Sequence, residues 1–453
     1  MDGLNYSRWN VSYELNSDNI ILFNTLSTSC MILKKDVFSS LRAGELGRLD
    51  SELVRELAKN GFLFEGGDEA EKSAYWSFLQ KIKYYSILET LHVCIVPSYK
   101  CNLRCIYCFE PIEELSEINS ILDFEMLEPF LERLENTFKY SNLRVVLYGG
   151  EPLYNRKILF DLIGKLQEWC DKKRKKITFG IMSNGTLANP DVISKLVSYG
   201  LEEIQITLDG VQEINDMRRK YQNGRGSFCT VYKNLLKCLE FPISVVLRVN
   251  LDESNVGLFA DFLSLLKLNG IIYKRNFKLS LAAVDPVPFR GACKGDFSGF
   301  LRWEKTLKKA WNVLISGVDD PDILIRFFLT NFSVCNAKVY SSFIIAPDGK
   351  LYSCYSLLGY DTGVVGHIES GLNTNHTRFM LEIDKNILKC LEDGCPFLPL
   401  CNGGCFYKGY AFSGEFWRSY CFKSYFENVW LNTFGEIVSK IANSTQFKSL
   451  RLK

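Results

Sequence analysis

The chain has 453 residues, of which 47% are hydrophobic and 23% charged, and its formal net charge is +2 at pH 7. These values are typical of a globular protein of two or three domains, and they exclude a strongly basic nucleic-acid-binding chain and membrane-length apolar runs. The N-terminus MDGLNYSRWN has no basic region followed by an apolar one, so we expect a cytoplasmic protein. In that reducing compartment, sixteen cysteines indicate metal ligation, redox chemistry or burial rather than disulfides.

Residues 1–88 differ in pattern from the rest of the chain. The segment VSYELNSDNIILFNTLSTSCMIL predicts a strand, a turn and a second strand. The segment SELVRELAKNGFLFEGGDEAE predicts a helix that leads into a short strand. This order predicts a small winged-helix-like module.

From residue 89 to residue 285, strand-like apolar runs alternate with helical patterns. Asp123 is a predicted N-cap for the first of the helices. Repeated strand–helix units predict an α/β fold with a parallel sheet and outer helices, either doubly wound or a barrel of fewer than eight strands. In such folds the loops after the strand C-termini form the ligand-binding edge. The predicted strands are residues 91–98, 143–150, 177–184, 203–210, 243–250 and 277–284.

The rest of the chain follows a different pattern again. Residues 286–330 form a predicted bridging region, and residues 331–425 are a cysteine-dense, glycine-rich tail with little helical periodicity. A C-terminal helix is predicted over 426–453. A segment so poor in regular structure needs another source of stability, and metal binding is the expected one.

Three cysteines follow the first predicted strand in CNLRCIYC, at Cys101, Cys105 and Cys108. A structural zinc site needs four ligands, commonly in C-x2-C pairs, so this loop has too few ligands at the wrong spacing. Three thiolates can instead hold three corners of a 4Fe-4S cube and leave the fourth iron open to a ligand that is not protein.

This loop resembles the signature of the radical S-adenosylmethionine (SAM) enzymes, C-x3-C-x-aromatic-C, with Tyr107 as the aromatic residue. The resemblance extends over roughly residues 89–285 and implies a partial (β/α)6 TIM-like barrel. It implies that the open iron binds SAM, and that an electron cleaves SAM to a 5'-deoxyadenosyl radical that abstracts a substrate hydrogen. It also implies a reducing partner such as flavodoxin or ferredoxin.

The resemblance places further SAM contacts at the ends of later strands. The backbone of the GGEP turn and Glu151 would take the SAM ammonium, and Tyr107 would lie against the adenine. Ordinary turn chemistry explains the pairs Asn184-Gly185 and Asp209-Gly210 equally well. The implied contacts are Tyr107, Gly149, Gly150, Glu151, Pro152, Ser183, Asn184, Asp209, Arg248 and Asn250.

The tail carries a second cysteine pattern, C-x13-G-x4-C followed by CLEDGCPFLPLCNGGC and a last cysteine. It closely resembles the SPASM domain, the auxiliary-cluster extension of radical SAM enzymes, although the first pair is C-x4-C rather than C-x2-C. The resemblance implies two auxiliary 4Fe-4S clusters, which makes three in all. One is implied to bind Cys390, Cys395, Cys401 and Cys421, and the other Cys335, Cys354 and Cys405. The fourth position of the second cluster would take a substrate thiol or another residue such as Cys293; a zinc ribbon is the alternative for the tail.

SPASM proteins mostly modify peptides or proteins. Anaerobic sulfatase maturases carry an Asp after the cysteine of the G-x4-C element, where this chain has Tyr355, which argues against that subclass. Maturases of ribosomally made peptides often carry a winged-helix leader-recognition module, which residues 1–88 resemble. Such modules bind the leader as an added strand; the alternative is that the module only packs against the barrel.

We therefore expect a radical SAM peptide maturase that acts on a precursor peptide with a leader and installs a cross-link. A thioether is the favoured product, and a carbon–carbon or carbon–oxygen link is favoured almost as strongly. Two alternatives remain open from the sequence. One is oxidation of a protein Cys or Ser of the sulfatase-maturase type, and the other is a non-catalytic scaffold that binds clusters or zinc and a peptide. No nucleic-acid or membrane partner is expected.

Overall fold

The structure is a computed structural model that describes residues 3–84, 87–110, 120–285, 297–331, 335–413, 417–444 and 449–451. Cys293 lies outside the described residues, as do all of residues 286–296 of the predicted bridging region. None of the described helices combines the length and the apolar character that crossing a membrane requires.

The N-terminal residues form two small antiparallel sheets with helices packed on them. A meander of β2, β3 and β4 forms one sheet, and β1 pairs with β5 in the other. Asp50 begins the second helix by accepting hydrogen bonds from the backbone N–H groups of Glu52 and Leu53. The strands are β1 (Leu4–Tyr6), β2 (Asn10–Glu14), β3 (Asn19–Asn24), β4 (Ser29–Lys34) and β5 (Leu63–Glu65). The helices are Lys35–Arg42, Leu46–Arg48 (3-10), Ser51–Lys59 and Gly67–Tyr84.

Parallel strands form the central sheet, and their order in space follows the chain: β6, β8, β9, β10, β12, β13. The α/β fold-class prediction is confirmed. The first strand ends at residue 95 rather than 98, because Pro97 has no backbone N–H for the ladder. A separate antiparallel ribbon pairs β7 with β11. The bounds are β6 (Ile87–Ile95), β7 (Leu103–Cys105), β8 (Lys139–Leu147), β9 (Lys176–Ser183), β10 (Leu201–Thr207), β11 (Arg219–Tyr221), β12 (Ser244–Leu251) and β13 (Phe277–Ala283).

Amphipathic helices connect these strands and bury their apolar faces on the sheet. Asp123 caps the first by accepting from the Met126 N–H, as predicted. Leu127 and Leu131 of this helix are fully or almost fully buried, and each such side chain contributes about 1.5–3 kcal/mol. The helices are Phe124–Thr137, Arg156–Lys172, Pro190–Ser198, Gln212–Arg218, Phe228–Cys238 and Phe259–Leu268, with 3-10 turns at Val256–Leu258 and Ile271–Tyr273.

The cysteine-rich tail extends the central sheet. Its first strand pairs in parallel with β6, and the next three continue in antiparallel order. The tail is thereby held against the strand that leads into the cysteine triplet. Its strands are β14 (Phe343–Ile345), β15 (Lys350–Tyr352), β16 (Val364–His367) and β17 (Gly371–Leu372). The helices between residues 297 and 413 are Phe297–Gly317, Pro321–Thr330, Thr374–Glu392, Leu398–Cys401 and Phe406–Ser413, with 3-10 turns at Asn336–Lys338, Tyr355–Leu357 and Asp361–Gly363.

The prediction of little helical structure in the tail was wrong for Thr374–Glu392. Asn373 begins this helix by accepting from the N–H groups of Asn375 and His376. Its buried residues include Ile383 and Ile387, which are one helical turn apart. The apolar spacing was present in the sequence, but the surrounding cysteines and glycines obscured it.

The predicted C-terminal helix over 426–453 also differs from the structure. The helical segment begins earlier, with Lys423–Tyr425, continues through a π-helical turn at Phe426–Trp430, and ends with Leu431–Ser444. The chain then forms β18 (Ser449–Arg451), which pairs antiparallel with β4. A strand at this position is favoured because it satisfies the hydrogen-bonding groups of the β4 edge.

The N-terminal module packs directly on the tail. Trp9 is fully buried, and its ring centroid lies 4.7 Å from that of Tyr75 in a cluster that also contains Phe379. Thr25 Oγ1 donates to the carbonyl of Pro396, and Arg8 Nη2 donates to the carbonyl of Leu391, both at 2.5 Å. The module is therefore part of the packed structure.

We predict that Trp9→Ala lowers the free energy of unfolding by about 3–5 kcal/mol, because it leaves a large cavity between the module and the tail. Urea denaturation followed by tryptophan fluorescence and circular dichroism under anaerobic conditions measures the effect. Phe78→Ala is the control, since Phe78 is 53% exposed and its removal should change stability by less than about 0.5 kcal/mol. Equal losses in the two variants would contradict this packing.

Candidate active site

A cavity of about 360 Å³ opens at the carboxyl ends of the central strands, as expected for a fold of this kind. Cys101, Cys105 and Cys108 line it. The other predicted contacts that line it are Tyr107, Gly149, Gly150, Ser183, Asn184, Arg248 and Asn250. Glu151, Pro152 and Asp209 are not part of this lining.

The cysteine triplet is held by the β7–β11 ribbon, in which Cys105 lies opposite Arg219. Cys101 Sγ accepts a hydrogen bond from the Leu103 N–H at 3.4 Å. Burial raises the pKa of the Cys101 thiol to about 12, and it also raises the pKa values of Cys105 and Cys108. Such thiols need a metal to become thiolates, so three of them on one cavity wall fit a three-cysteine iron–sulfur cluster.

The GGEP turn approaches the cysteine loop so closely that only glycine fits. A Cβ atom on Gly150 would lie 2.3 Å from the carbonyl oxygen of Tyr99. Gly149 has φ +119°, a conformation that residues with side chains rarely adopt. The turn therefore brings bare backbone to the cavity wall, where it can bind a polar ligand.

Glu151 points into the protein and is 1% exposed. Its Oε1 atom accepts from Ser183 Oγ at 2.9 Å, and its Oε2 atom accepts from the Asn184 N–H at 2.7 Å. Burial raises the pKa of this carboxyl group, whereas these donors lower it. The geometry therefore makes Glu151 a positioning residue for Ser183 and Asn184, and its expected contact with the SAM ammonium stays a prediction.

Asp209 is likewise buried behind the cavity. Its Oδ2 atom accepts from Arg218 Nε at 3.1 Å, and both side chains are fully buried. Arg218 also pairs with the partly exposed Asp252 at 2.6 Å. The Arg218 guanidinium lies 4.8 Å from the centroid of the Tyr107 ring. Asp209 therefore supports the strand end and Tyr107 from below.

Arg219 is a cavity residue that the sequence analysis missed. It is 5% exposed, and Nη1 donates to Tyr107 Oη at 2.7 Å. Asn250 Nδ2 donates to the same hydroxyl at 3.1 Å. Within the described part of the chain, Arg219 Nε has no hydrogen-bond partner. The signal in the sequence was the alternation of side chains along the short strand that begins at Arg219, which turns Arg219 and Lys220 to opposite faces.

Glu110 and Tyr148 form a second polar group that the sequence analysis missed. Both line the cavity, together with Tyr355 of the tail. Burial raises the pKa of Glu110 to about 7, and the hydrogen bond from Tyr148 opposes that shift. The Tyr148 and Tyr355 rings meet edge to face with centroids 5.1 Å apart. The tail therefore contributes directly to the wall of this cavity.

The structure brings the tail cysteines together in two groups. A second cavity, of about 230 Å³, is lined by all of Cys390, Cys395, Cys401 and Cys421. In the other group, burial raises the pKa of Cys354, and the neighbouring Cys335 and Cys405 raise it further. Among the described residues, no three His, Cys, Asp or Glu side chains lie in the arrangement that a single metal ion requires.

Comparison with known families identifies the central region. The model of the radical SAM superfamily matches residues 95–266. The chain contains a radical SAM domain. The resemblance inferred from CNLRCIYC is thus confirmed, the chain is an enzyme, and the domain implies SAM and a 4Fe-4S cluster.

Several known proteins are similar to this chain. A cysteine-type anaerobic sulfatase-maturating enzyme of Clostridium novyi (strain NT) is 28% identical over 348 residues, which cover 70% of this chain and 88% of that enzyme. An uncharacterized protein of Methanocaldococcus jannaschii is 28% identical over 184 residues, which cover 40% of this chain and 59% of that protein. The structure of native anSMEcpe with bound AdoMet and Kp18Cys peptide has a TM-score of 0.60 at 20% identity, covers 79% of this chain and 100% of its own, and thus shares the fold.

We predict that Asp209→Asn destabilises the enzyme by about 3 kcal/mol or more, because it removes a fully buried partner of a buried arginine. Asp252→Asn is the matched control, since it removes the partly exposed partner of the same Arg218 and should cost about 1 kcal/mol or less. Anaerobic urea denaturation of both variants measures the difference. A larger loss of unfolding free energy in the Asp252 variant would show that the buried Asp209–Arg218 pair is not the stronger of the two interactions of Arg218.

Proposed function

We propose that this radical SAM enzyme is a peptide maturase that abstracts a hydrogen from a ribosomally made precursor peptide and installs a cross-link. The observation that carries the proposal is the position of Tyr355, which lines the SAM cavity and directly follows Cys354. One auxiliary cysteine group is therefore next to the reaction cavity. A peptide side chain in that cavity could reach both.

The proposed roles of the cavity residues follow from their positions. Bound together, SAM and the reduced cluster supply a 5'-deoxyadenosyl radical. The backbone of Gly149 and Gly150 would bind the SAM ammonium, and Arg219 would bind its carboxylate because it is a buried cation whose Nε has no partner among the described residues. Tyr107 packs against the adenine, with its hydroxyl held by Arg219 and Asn250.

The tail is proposed to be a SPASM domain that holds two auxiliary 4Fe-4S clusters. Two features support it. The cysteines lie in one group of four and one of three, and the segment between Cys401 and Cys405 passes close to the backbone of Tyr420. In that segment a Cβ atom on Gly404 would lie 2.4 Å from the Tyr420 carbonyl oxygen. The four-cysteine set would supply all four ligands of its cluster, whereas the three-cysteine set would leave a position for a peptide thiol or for another residue.

The N-terminal module is proposed to recognise the leader of the precursor. Its support is the four-stranded sheet with the order β18-β4-β3-β2, in which the edge strand β2 can accept an added strand. In this structure β18 already occupies the β4 edge, with Leu450 opposite Cys30. A leader that adds at this edge would have to replace β18.

Oxidation of a protein Cys or Ser remains the second candidate, because the Clostridium novyi relative is a sulfatase-maturating enzyme that aligns with 70% of this chain. The anSMEcpe structure contains a bound Kp18Cys peptide, and a peptide substrate fits either reaction. The aromatic Tyr355, where sulfatase maturases carry an acid, favours cross-linking. A thioether is the favoured link because the three-cysteine group lies beside the cavity.

The first test is anaerobic reconstitution with iron, sulfide and SAM. We predict about 12 irons per chain and formation of 5'-deoxyadenosine with dithionite. The variant with Cys101, Cys105 and Cys108 all replaced by Ala should form no 5'-deoxyadenosine and should keep about 8 irons. Bound zinc without SAM cleavage, or cleavage by the triple variant, would contradict the assignment.

The second test is coexpression with a small cysteine-containing reading frame encoded beside the gene. A thioether predicts a peptide that has lost two hydrogen atoms and a thiol that iodoacetamide no longer modifies. An aldehyde that reacts with a hydrazide reagent would instead favour the sulfatase-maturase type of reaction. Mass spectrometry of the purified peptide distinguishes the two.

A further inference from the structure

The β7–β11 ribbon has two chemically different faces. Cys105 lies opposite Arg219, and Arg104 lies opposite Lys220. Alternate residues of a strand point to opposite faces, so Cys105 and Arg219 face the cavity while Arg104 and Lys220 face outward. Lys220 is exposed, in keeping with this arrangement. The outer face of the ribbon therefore lies on the other side of β7 from Cys105, a proposed cluster ligand.

This outer face is cationic. Arg104 and Lys220 are like charges directly opposite each other, which is a destabilising arrangement for a strand pair. Arg104 Nη1 donates to the carbonyls of Cys101 and Leu103, which fixes its charge over the cysteine loop. Within the described part of the chain, neither cation of this pair lies within ion-pair distance of a carboxylate.

The turn that follows β11 adds a third cation. The Tyr221 N–H donates to the Arg225 carbonyl, and the exposed Arg225 guanidinium lies 5.8 Å from the Tyr221 ring centroid. Residues 103–105 and 219–225 contain no Asp or Glu. The ribbon and its turn therefore carry no acidic side chain of their own, and the neighbouring Asp216 accepts a hydrogen bond from the Phe228 N–H at 2.7 Å.

Two large apolar side chains are exposed on the segments that adjoin β7 and β11. Ile106 is 69% exposed and Met217 is 49% exposed. The Ile106 N–H donates to the Arg218 carbonyl at 3.0 Å, so the two segments that carry them are in contact. Exposed apolar side chains next to arginines are typical of surfaces that bind another protein.

We propose that this surface, the donor face, defined by Arg104, Ile106, Met217, Lys220 and Arg225, docks an acidic electron-transfer protein of the flavodoxin or ferredoxin class. The proposal rests on the proposed reductive cleavage of SAM, which needs one electron per SAM. The docked protein is oxidised by one electron and the cluster at Cys101, Cys105 and Cys108 is reduced by one, with no bond formed or broken. Opposite charges accelerate such an encounter, and redox interfaces of this kind are small.

The test compares two electron sources for the reconstituted holoenzyme. The Lys220→Glu/Arg225→Glu variant reverses two exposed charges on the donor face, and 5'-deoxyadenosine formation is measured with either a purified bacterial flavodoxin and its NADPH-dependent reductase or dithionite. We expect at least a tenfold loss of the flavodoxin-driven rate at low ionic strength and an unchanged dithionite-driven rate. Added salt should slow the flavodoxin-driven wild-type reaction and have little effect on the variant.

Lys172→Glu is the matched control. Lys172 is exposed and ends the helix Arg156–Lys172, which runs away from the cavity edge to the opposite end of the sheet. Its reversal should leave both rates unchanged. Loss of the flavodoxin-driven rate in this control too, or a wild-type rate in the double variant, would overturn the donor face. A wild-type enzyme that forms no 5'-deoxyadenosine with dithionite would instead overturn the proposed function.

Discussion

The central constraint in this enzyme is the pairing of β6 on both of its edges. On one edge it pairs in parallel with β8, and on the other with β14 of the tail. The cysteine loop follows β6 directly, the GGEP turn follows β8, and Cys354 follows the hairpin that begins with β14. The first two segments meet at one edge because neighbouring parallel strands end together, whereas Cys354 follows the antiparallel strand β15, and the tail reaches the cavity through Tyr355.

Buried charges shape the cavity mostly from behind. The Glu151 carboxylate accepts hydrogen bonds from Ser183 and Asn184, and Asp209 forms an ion pair with Arg218. An ionised carboxylate is stable at such depth only with several donors, and these neighbours supply them. The polar lining of the cavity includes bare backbone, amides, the cations Arg219 and Arg248 and the carboxyl group of Glu110, a combination suited to a ligand that carries both an ammonium and a carboxylate.

Local patterns predicted the parallel strands and the Asp123 cap, because strand period and capping depend on neighbouring residues, and the family resemblance implied half of the residues that line the cavity. Features that depend on contacts between distant parts of the chain were harder to predict from the sequence. The helix Thr374–Glu392 has regular apolar spacing, yet its sequence context favoured irregular structure. The strand β18 was predicted as helix because only its pairing with β4 makes it a strand.

The sequence by itself determined the chemistry of the enzyme's centre. The spacing of Cys101, Cys105 and Cys108 within one loop specifies three ligands on a short stretch of backbone, and no distant contact is needed to see it. Only the tertiary structure decided which polar groups face the cavity. Glu151 and Asp209 turn inward and Arg219 turns toward the cavity, because each orientation depends on hydrogen-bond partners that are distant in the chain and brought near by packing.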